Sequence, residues 1–196
     1  MKILGITGGV ATGKSTVTQM LSELGAPTIS ADAIARIQLA PGMETTRAVR
    51  DAFPDCGDPA GQGIDRRALS KRIFADPVQR TRLEALTHPA IITALITRIS
   101  EWRTAGSGVA AAAEIPLLFE ANLESLVDCV VVVVCTEVTQ VARLQERQGM
   151  TEAEARRQIA AQWPLPSKID RADVVITTDK DLDDTRRQVQ ALWDSL

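Results

Sequence analysis

Eight consecutive residues, Gly8-Gly9-Val10-Ala11-Thr12-Gly13-Lys14-Ser15, have the types and spacing with which a backbone wraps around phosphate, G-x-x-x-x-G-K-[S/T]. Glycines let the chain fold tightly enough for successive N–H groups to converge on phosphate oxygens. The N-terminus of the helix that follows adds its partial positive charge. Lys14 has the length to reach the β- and γ-phosphates, and the Ser15 hydroxyl suits Mg²⁺. The octapeptide predicts a nucleoside triphosphate site.

Other residues could use that phosphate. Asp32 lies just past a second short strand, at the edge of an open sheet where ligands bind. A carboxylate there can accept a proton from an attacking hydroxyl or help hold Mg²⁺; it can equally cap a helix over residues 33–40. Arg143 and Arg147, four apart, project from one helix face. They suit charge developing on a transferring phosphoryl group, or simple pairing with Glu146 or Glu137. Glu114, ending a strand before Ile115-Pro116, stands where an acid approaches Mg²⁺ or is merely solvated. The only histidine, His88, precedes Pro89 at an expected helix start and reads as structural. Basic residues group at 66–82 and at Arg143, Arg147, Arg156, Arg157, Lys168 and Arg171, as solvated helix faces commonly do.

The elements that must position these residues alternate. Residues 1–7 read as a buried strand; Val17, Met20, Leu21 and Leu24 then give a helical stripe stopped by Gly25 and Pro27. Residues 28–30 make a brief strand. Residues 32–102 are mostly helical, with breaks at Pro41-Gly42 and from Pro54 to Gly63, and with Asp76-Pro77 as a cap and first-turn pair. The helix after His88-Pro89 carries Ile91, Ile92, Leu95, Ile96, Ile99 and Trp102 on one side. Strands follow at 109–115 and 127–135, the latter apolar throughout after Asp128, as expected when both faces of a parallel sheet are covered. Two helices come next, the second opening with a Thr151-to-Glu154 capping box and ended by Pro164 and Pro166. A strand at 173–177 and a closing helix complete an α/β chain with one parallel sheet. The three tryptophans read as packing residues.

Composition narrows the function. With 196 residues, 45% hydrophobic and 24% charged, the chain suits one globular domain. A net charge of −3 argues against a dedicated nucleic-acid binder. Cysteines 56, 129 and 135 lack metal or redox spacing and point to a reducing compartment. The start of the chain does not read as a signal peptide, and the longest apolar run falls well short of the roughly 20 residues a membrane span needs. A cytoplasmic protein without membrane attachment is expected.

Taken together, these motifs resemble the dephospho-CoA kinase family, nearly end to end. Leu4 to Gly9 with Gly13 to Val17 resembles its phosphate loop, and Ser30-Ala31-Asp32 followed by Ile34-Ala35-Arg36 is similar to its Asp-Ala-Asp segment. Arg67-Ala68-Leu69, Ile73-Phe74, Leu83-Glu84 and His88-Pro89-Ala90-Ile91 follow its helical substrate domain in order. Pro116-Leu117-Leu118-Phe119-Glu120 matches its signature; Gln140, Arg143, Arg147, Gln162 and Ala172-Asp173 match its lid and the segment after it.

The resemblance implies a three-layer P-loop NTPase fold with a core at 1–35, 105–137 and 171–196, a helical substrate insertion at about 36–104 and a lid at about 138–170. It implies ATP contacts from Ala11, Thr12, Gly13, Lys14, Ser15 and Thr16, and acceptor contacts from Asp32, Arg36, Leu117 and Glu120. Asp32, Lys14 and Arg143 would be catalytic, Arg143 and Arg147 would belong to the lid, and Ser15 would hold Mg²⁺. ATP and dephospho-CoA would be the partners, with no nucleic acid, membrane or obligate protein among them.

Three positions depart from the family pattern. Ala11 and Thr178 stand where Gly and Asn are usual, and Ser30 replaces the first Asp. Ala11 is expected to serve if its φ is negative. A GTPase-type switch shares the loop, but Asp58-Pro59-Ala60-Gly61 and Ser167-Lys168-Ile169-Asp170, which echo its motifs, follow no apolar strand. A nucleoside or nucleotide kinase of similar size is the remaining alternative.

Overall fold

A computed structural model of the chain describes residues 1–58 and 61–196; Pro59 and Ala60, in the Asp58-to-Gly61 tetrapeptide, lie outside the described residues. The order is β1 (Lys2–Gly8), α1 (Lys14–Glu23), β2 (Thr28–Ser30), α2 (Ala31–Gln38), α3 (Glu44–Ala52), α4 (Arg66–Ala75), α5 (Pro77–Ala105), β3 (Ala110–Glu114), β4 (Cys129–Val134), α6 (Glu137–Gln148), α7 (Glu152–Ala160), α8 (Leu165–Ile169), β5 (Val174–Thr177) and α9 (Leu182–Asp194). Short 3₁₀ turns lie at Pro54–Cys56 and Glu124–Leu126.

The five strands form one parallel sheet in the order β2-β3-β1-β4-β5. β1 is central, and the strands after it are added on both its sides. In open α/β sheets ligands bind at such a reversal, beyond the carboxyl ends of the strands, and here that is where β1 ends and the phosphate-loop motif begins. Every β1 residue after Lys2 is buried. Leu4 and Ile6 of β1 join Val131, Val133 and Ile176, with Val17, Met20 and Leu21 of α1 and Val189 and Leu192 of α9, in one cluster. Helices covering a parallel sheet explain the all-apolar β4, since neither face of that strand is left to water.

The chain divides into two compact units, Met1–Ser30 with Ile99–Leu196, and Ala31–Arg98. The second unit has its own core of Val49, Phe53, Cys56 and Leu69, flanked by Leu39, Ile64, Leu83 and Leu86. Asp65 caps α4, accepting from the N–H groups of Arg67 and Ala68. Asp76 caps α5 as expected, accepting from Val78 at 2.8 Å.

Three local expectations need correction. No helix starts at His88-Pro89: α5 runs unbroken from Pro77 to Ala105 with Pro89 inside it. Proline removes one helical hydrogen bond, but Ala85, which would have accepted it, and Pro89 are both exposed, so water can serve the freed carbonyl. Ile96 is turned outward at 42% exposure, whereas Leu95, Ile99 and Trp102 are buried. Pro164 and Pro166 do more than end α7; they open the short helix α8, because proline is tolerated in a first turn whose N–H groups have no helical partner.

Candidate active site

Gly8 closes β1 at φ 143°, and an added Cβ would lie 2.2 Å from the Val133 carbonyl oxygen on β4. No side chain fits there. Gly13 caps α1 in the left-handed region at φ 93°, with no side chain to satisfy the N–H groups of the first turn. Those N–H groups have no intrahelical acceptor, the first α1 bond being from the Val17 N–H to the Gly13 carbonyl at 3.1 Å. The result is a donor-rich helix end suited to phosphate oxygens. Within the loop, Lys14 Nζ donates to the Gly9 carbonyl at 2.7 Å, and the Thr12 hydroxyl donates to the same oxygen at 3.0 Å.

Ala11 has φ 57°, so the condition of a negative φ is not met. A left-handed alanine is strained by roughly 1–2 kcal/mol, and contacts hold it there. Its side chain packs, with Val10, against Val141 and Leu144 of α6 and Ala155 of α7. Its carbonyl accepts from Arg143 Nη1 at 3.1 Å. Burial pushes the neighbouring Cys135 thiol up, keeping it protonated, with Sγ 4.0 Å from the same carbonyl.

The whole apex is held this way. Gln140 Nε2 donates to the Val10 carbonyl at 2.6 Å, and the Gln162 side chain accepts from the Val10 N–H at 2.7 Å. Thr178, just after β5, donates to the Thr12 carbonyl at 2.7 Å and accepts from Arg143 Nη1 at 2.9 Å, while its own carbonyl accepts from Arg143 Nη2 at 2.7 Å. Arg143 therefore pairs with neither Glu146 nor Glu137; Glu137 pairs instead with Arg156. Arg147, one turn on, is exposed. Next to Thr178, Asp179 accepts from the Thr136 N–H at 2.8 Å and the Thr139 hydroxyl at 2.9 Å, tying the start of α6 to the end of β5. Burial pushes the Asp179 carboxyl up, but the hydrogen bonds from Thr136, Thr139 and Thr177 outweigh it and hold it below the ordinary range.

On the other side of β1, Glu114 ends β3 in register with Ile6 and is buried. The chain then turns through the predicted Pro116-to-Glu120 segment. Leu117 is half-buried, while Leu118 and Phe119 are fully buried beneath it. The Pro116 carbonyl accepts from the Thr7 hydroxyl at 3.2 Å and from Lys168 Nζ at 3.3 Å. Lys168, expected on a solvated basic face, is 0% exposed and forms an ion pair with Glu120 at 2.8 Å. The Trp163 ring lies parallel to Phe119 at 6.4 Å between centroids, and the Arg171 guanidinium lies 4.9 Å from the Phe119 centroid while pairing with Glu124. Trp163 thus packs, as expected of it, on the signature segment, although it is 40% exposed.

In the second unit, Asp32 and Arg36 are exposed and four residues apart on α2. The helix begins at Ala31, so Asp32 sits in its first turn; the alternative that it caps a helix starting at residue 33 does not hold. The Arg36 carbonyl accepts from Arg66 at 3.0 Å.

The donor set fits a hard cation of the Mg²⁺ type. Ser15 presents an exposed hydroxyl at the first turn of α1, and among the described residues no group of three His, Cys, Asp or Glu side chains could cage a metal alone. Mg²⁺ is ordinarily held by one or two protein oxygens, substrate phosphates and water.

Sequence singles out Thr178 only as a departure from the family's Asn, and it does not point to Asp179 or Lys168 as parts of the site. A threonine after an apolar strand and a lysine among other basic residues carry no local signal. Their roles come from partners distant in sequence: the Thr12 carbonyl and the Arg143 guanidinium for Thr178, the Thr136 N–H and Thr139 hydroxyl for Asp179, and the Glu120 carboxylate for Lys168.

The family model described as dephospho-CoA kinase matches residues 2–184. A dephospho-CoA kinase of Geobacillus kaustophilus is 42% identical over 197 residues, covering 98% of this chain and 97% of that one. A crystal structure of a Thermus thermophilus protein superposes with a TM-score of 0.81 at 31% identity, covering 100% of this chain and 97% of the other. The dephospho-CoA kinase of Campylobacter jejuni shares the fold, with a TM-score of 0.72 at 24% identity and coverage of 98% and 96%. The sheet with its flanking helices and phosphate loop is that of the P-loop kinases.

Proposed function

The chain belongs to the dephospho-CoA kinase family, and on that premise we propose that it passes the γ-phosphoryl group of ATP to the 3′-hydroxyl of dephospho-CoA, giving coenzyme A and ADP in the last step of coenzyme A synthesis. The observation that carries this reading is the family match over residues 2–184, within which the Lys14-Ser15 phosphate loop is intact.

The roles of individual residues are inferred from the resemblance and from the chemistry each can supply. The ribose 3′-oxygen attacks the γ-phosphorus in line as the bond to the β,γ-bridging oxygen breaks, and the hydroxyl proton passes to the Asp32 carboxylate. Such a transfer is catalysed chiefly by positioning and charge neutralisation. The N–H groups of the loop from Ala11 to Thr16 would cradle the phosphates. Lys14 would exchange the Gly9 carbonyl for a phosphate oxygen, and Arg143 would neutralise charge on the moving group. Ser15 would ligate Mg²⁺, which supplies further charge neutralisation when bound; Glu114, in register beside β1, is the nearest candidate acid by strand order. Arg36, Leu117 and Glu120 would bind the acceptor. Residues 138–170, with Arg143 and Arg147, would act as a lid that excludes water during transfer.

A cytoplasmic location is supported by three cysteines, all free, and by a reaction that consumes ATP. Among the described residues no helix is long and apolar enough to cross a membrane.

The test is a coupled ADP-release assay with dephospho-CoA, adenosine and nucleoside monophosphates offered side by side. Release that depends on dephospho-CoA alone is expected; equal release with a nucleoside monophosphate would reassign the acceptor.

A further inference from the structure

We infer that Lys168 is a positioning residue for the acceptor, holding Glu120 and the Pro116 carbonyl so that the second carboxylate oxygen of Glu120 is kept for an N–H or O–H of dephospho-CoA. The inference rests on the proposed acceptor role of Glu120.

Three observations carry it. Lys168 is completely buried, and a buried ammonium is stable only when paired and hydrogen-bonded. It meets just the segment in question, with Nζ 2.8 Å from Glu120 Oε1 and 3.3 Å from the Pro116 carbonyl oxygen. Glu120 Oε1 is thus engaged by Lys168, with the Trp163 N–H also directed at it at 3.4 Å. The other oxygen, Oε2, is buried and has no hydrogen-bond partner among the described residues. Buried carboxylate oxygens without partners are costly and uncommon. The side chain as a whole is 18% exposed, so it borders solvent. A carboxylate fixed by one oxygen with the other unpaired is arranged to accept from an incoming donor.

The pairing also ties two parts of the chain together. Glu120 lies in the turn after β3, and Lys168 in α8, which Pro164 and Pro166 set in place. The Thr7 hydroxyl shares the Pro116 carbonyl at 3.2 Å, so the turn is referred both to β1 and to α8. Displacing the lysine would free the Pro116-to-Glu120 turn from α8 while leaving its link to β1.

The experiment compares K168M, K168Q, K168R and E120Q in the full chain. It measures kcat and KM for dephospho-CoA at saturating ATP, Kd for ATP by titration, and the urea midpoint. K168M keeps the length without charge; K168Q keeps a donor for both oxygens and carries the test if K168M does not fold. E120Q and the neutral Lys168 variant that folds are each expected to raise KM for dephospho-CoA by about 10- to 100-fold, the worth of a hydrogen bond to a charged group. The ATP Kd should stay within about twofold, and K168R should recover part of the acceptor affinity. A structural role alone would lower the urea midpoint without moving the acceptor KM. A folded neutral Lys168 variant with wild-type acceptor KM, beside an E120Q that raises it, overturns the role of Lys168 only. An E120Q with wild-type acceptor KM overturns the Glu120 assignment and this inference with it. Absence of dephospho-CoA-dependent turnover in the unaltered protein overturns the proposed function instead.

Discussion

The Arg143 guanidinium spans Thr178, with Nη1 2.9 Å from the hydroxyl oxygen and Nη2 2.7 Å from the carbonyl oxygen. The same threonine donates to the Thr12 carbonyl at 2.7 Å, so one residue links α6, the end of β5 and the phosphate loop. Replacing Thr178 with valine keeps the shape and leaves the Thr12 carbonyl without that donor.

Arg143→Ala should lower kcat more than it raises KM for dephospho-CoA, because a charge contact made mainly during transfer registers in kcat. Steady-state kinetics at saturating ATP check this. A change confined to KM would make Arg143 a binding residue. Loss of its three hydrogen bonds to Ala11 and Thr178 should also lower stability by about 1–3 kcal/mol, read from urea unfolding.

Ala11→Gly tests the positive φ. Glycine relieves roughly 1–2 kcal/mol of left-handed strain, while added chain entropy in the unfolded state costs about 0.4–1 kcal/mol and the lost methyl contact somewhat less than about 0.8 kcal/mol. The effects nearly cancel, so the urea midpoint should barely move. At a negative φ only the two losses would remain, and a drop of about 1.5 kcal/mol or more would contradict the loop geometry.

Asp32→Asn should leave folding and ATP affinity intact while reducing kcat by about 10²- to 10⁴-fold. Asp32 lies within the first turn of α2, so its structural contribution is limited to a favourable charge near the helix N-terminus. The measurement is kcat with both substrates saturating, beside a melting curve. Unchanged kcat would remove Asp32 from the chemistry.

Asp179→Asn addresses pH. The folded-state pKa of Asp179 is lowered, so its stabilising contribution is fully present above the unfolded value of about 3.9 and is lost as pH falls through the lower folded value. Stability of the unaltered protein should therefore fall more steeply below about pH 4 than that of the variant. Parallel urea midpoints from pH 3 to 6 would show that Asp179 does not couple α6 to β5 in this way.

Local chemistry makes the frame of this protein readable from sequence. The phosphate loop is contiguous, and its glycines are required by backbone conformations that the neighbouring residues alone predict. β4 is recognisable because a strand covered on both faces must be apolar throughout. The Thr151–Glu154 capping box forms as expected, since it joins groups within one helical turn. Tertiary structure decided what no local pattern encodes. Proline stops most helices, yet Pro89 lies within α5, where the carbonyl it deprives faces water. A lysine in a basic stretch ordinarily faces solvent, yet Lys168 is buried because a carboxylate 48 positions earlier in the chain compensates its charge. Ala11 adopts a left-handed conformation that alanine avoids, because the contacts holding it come from α6 and α7, more than a hundred residues later. Such contacts depend on which groups the sheet order brings together, and sequence spacing carries no record of that order.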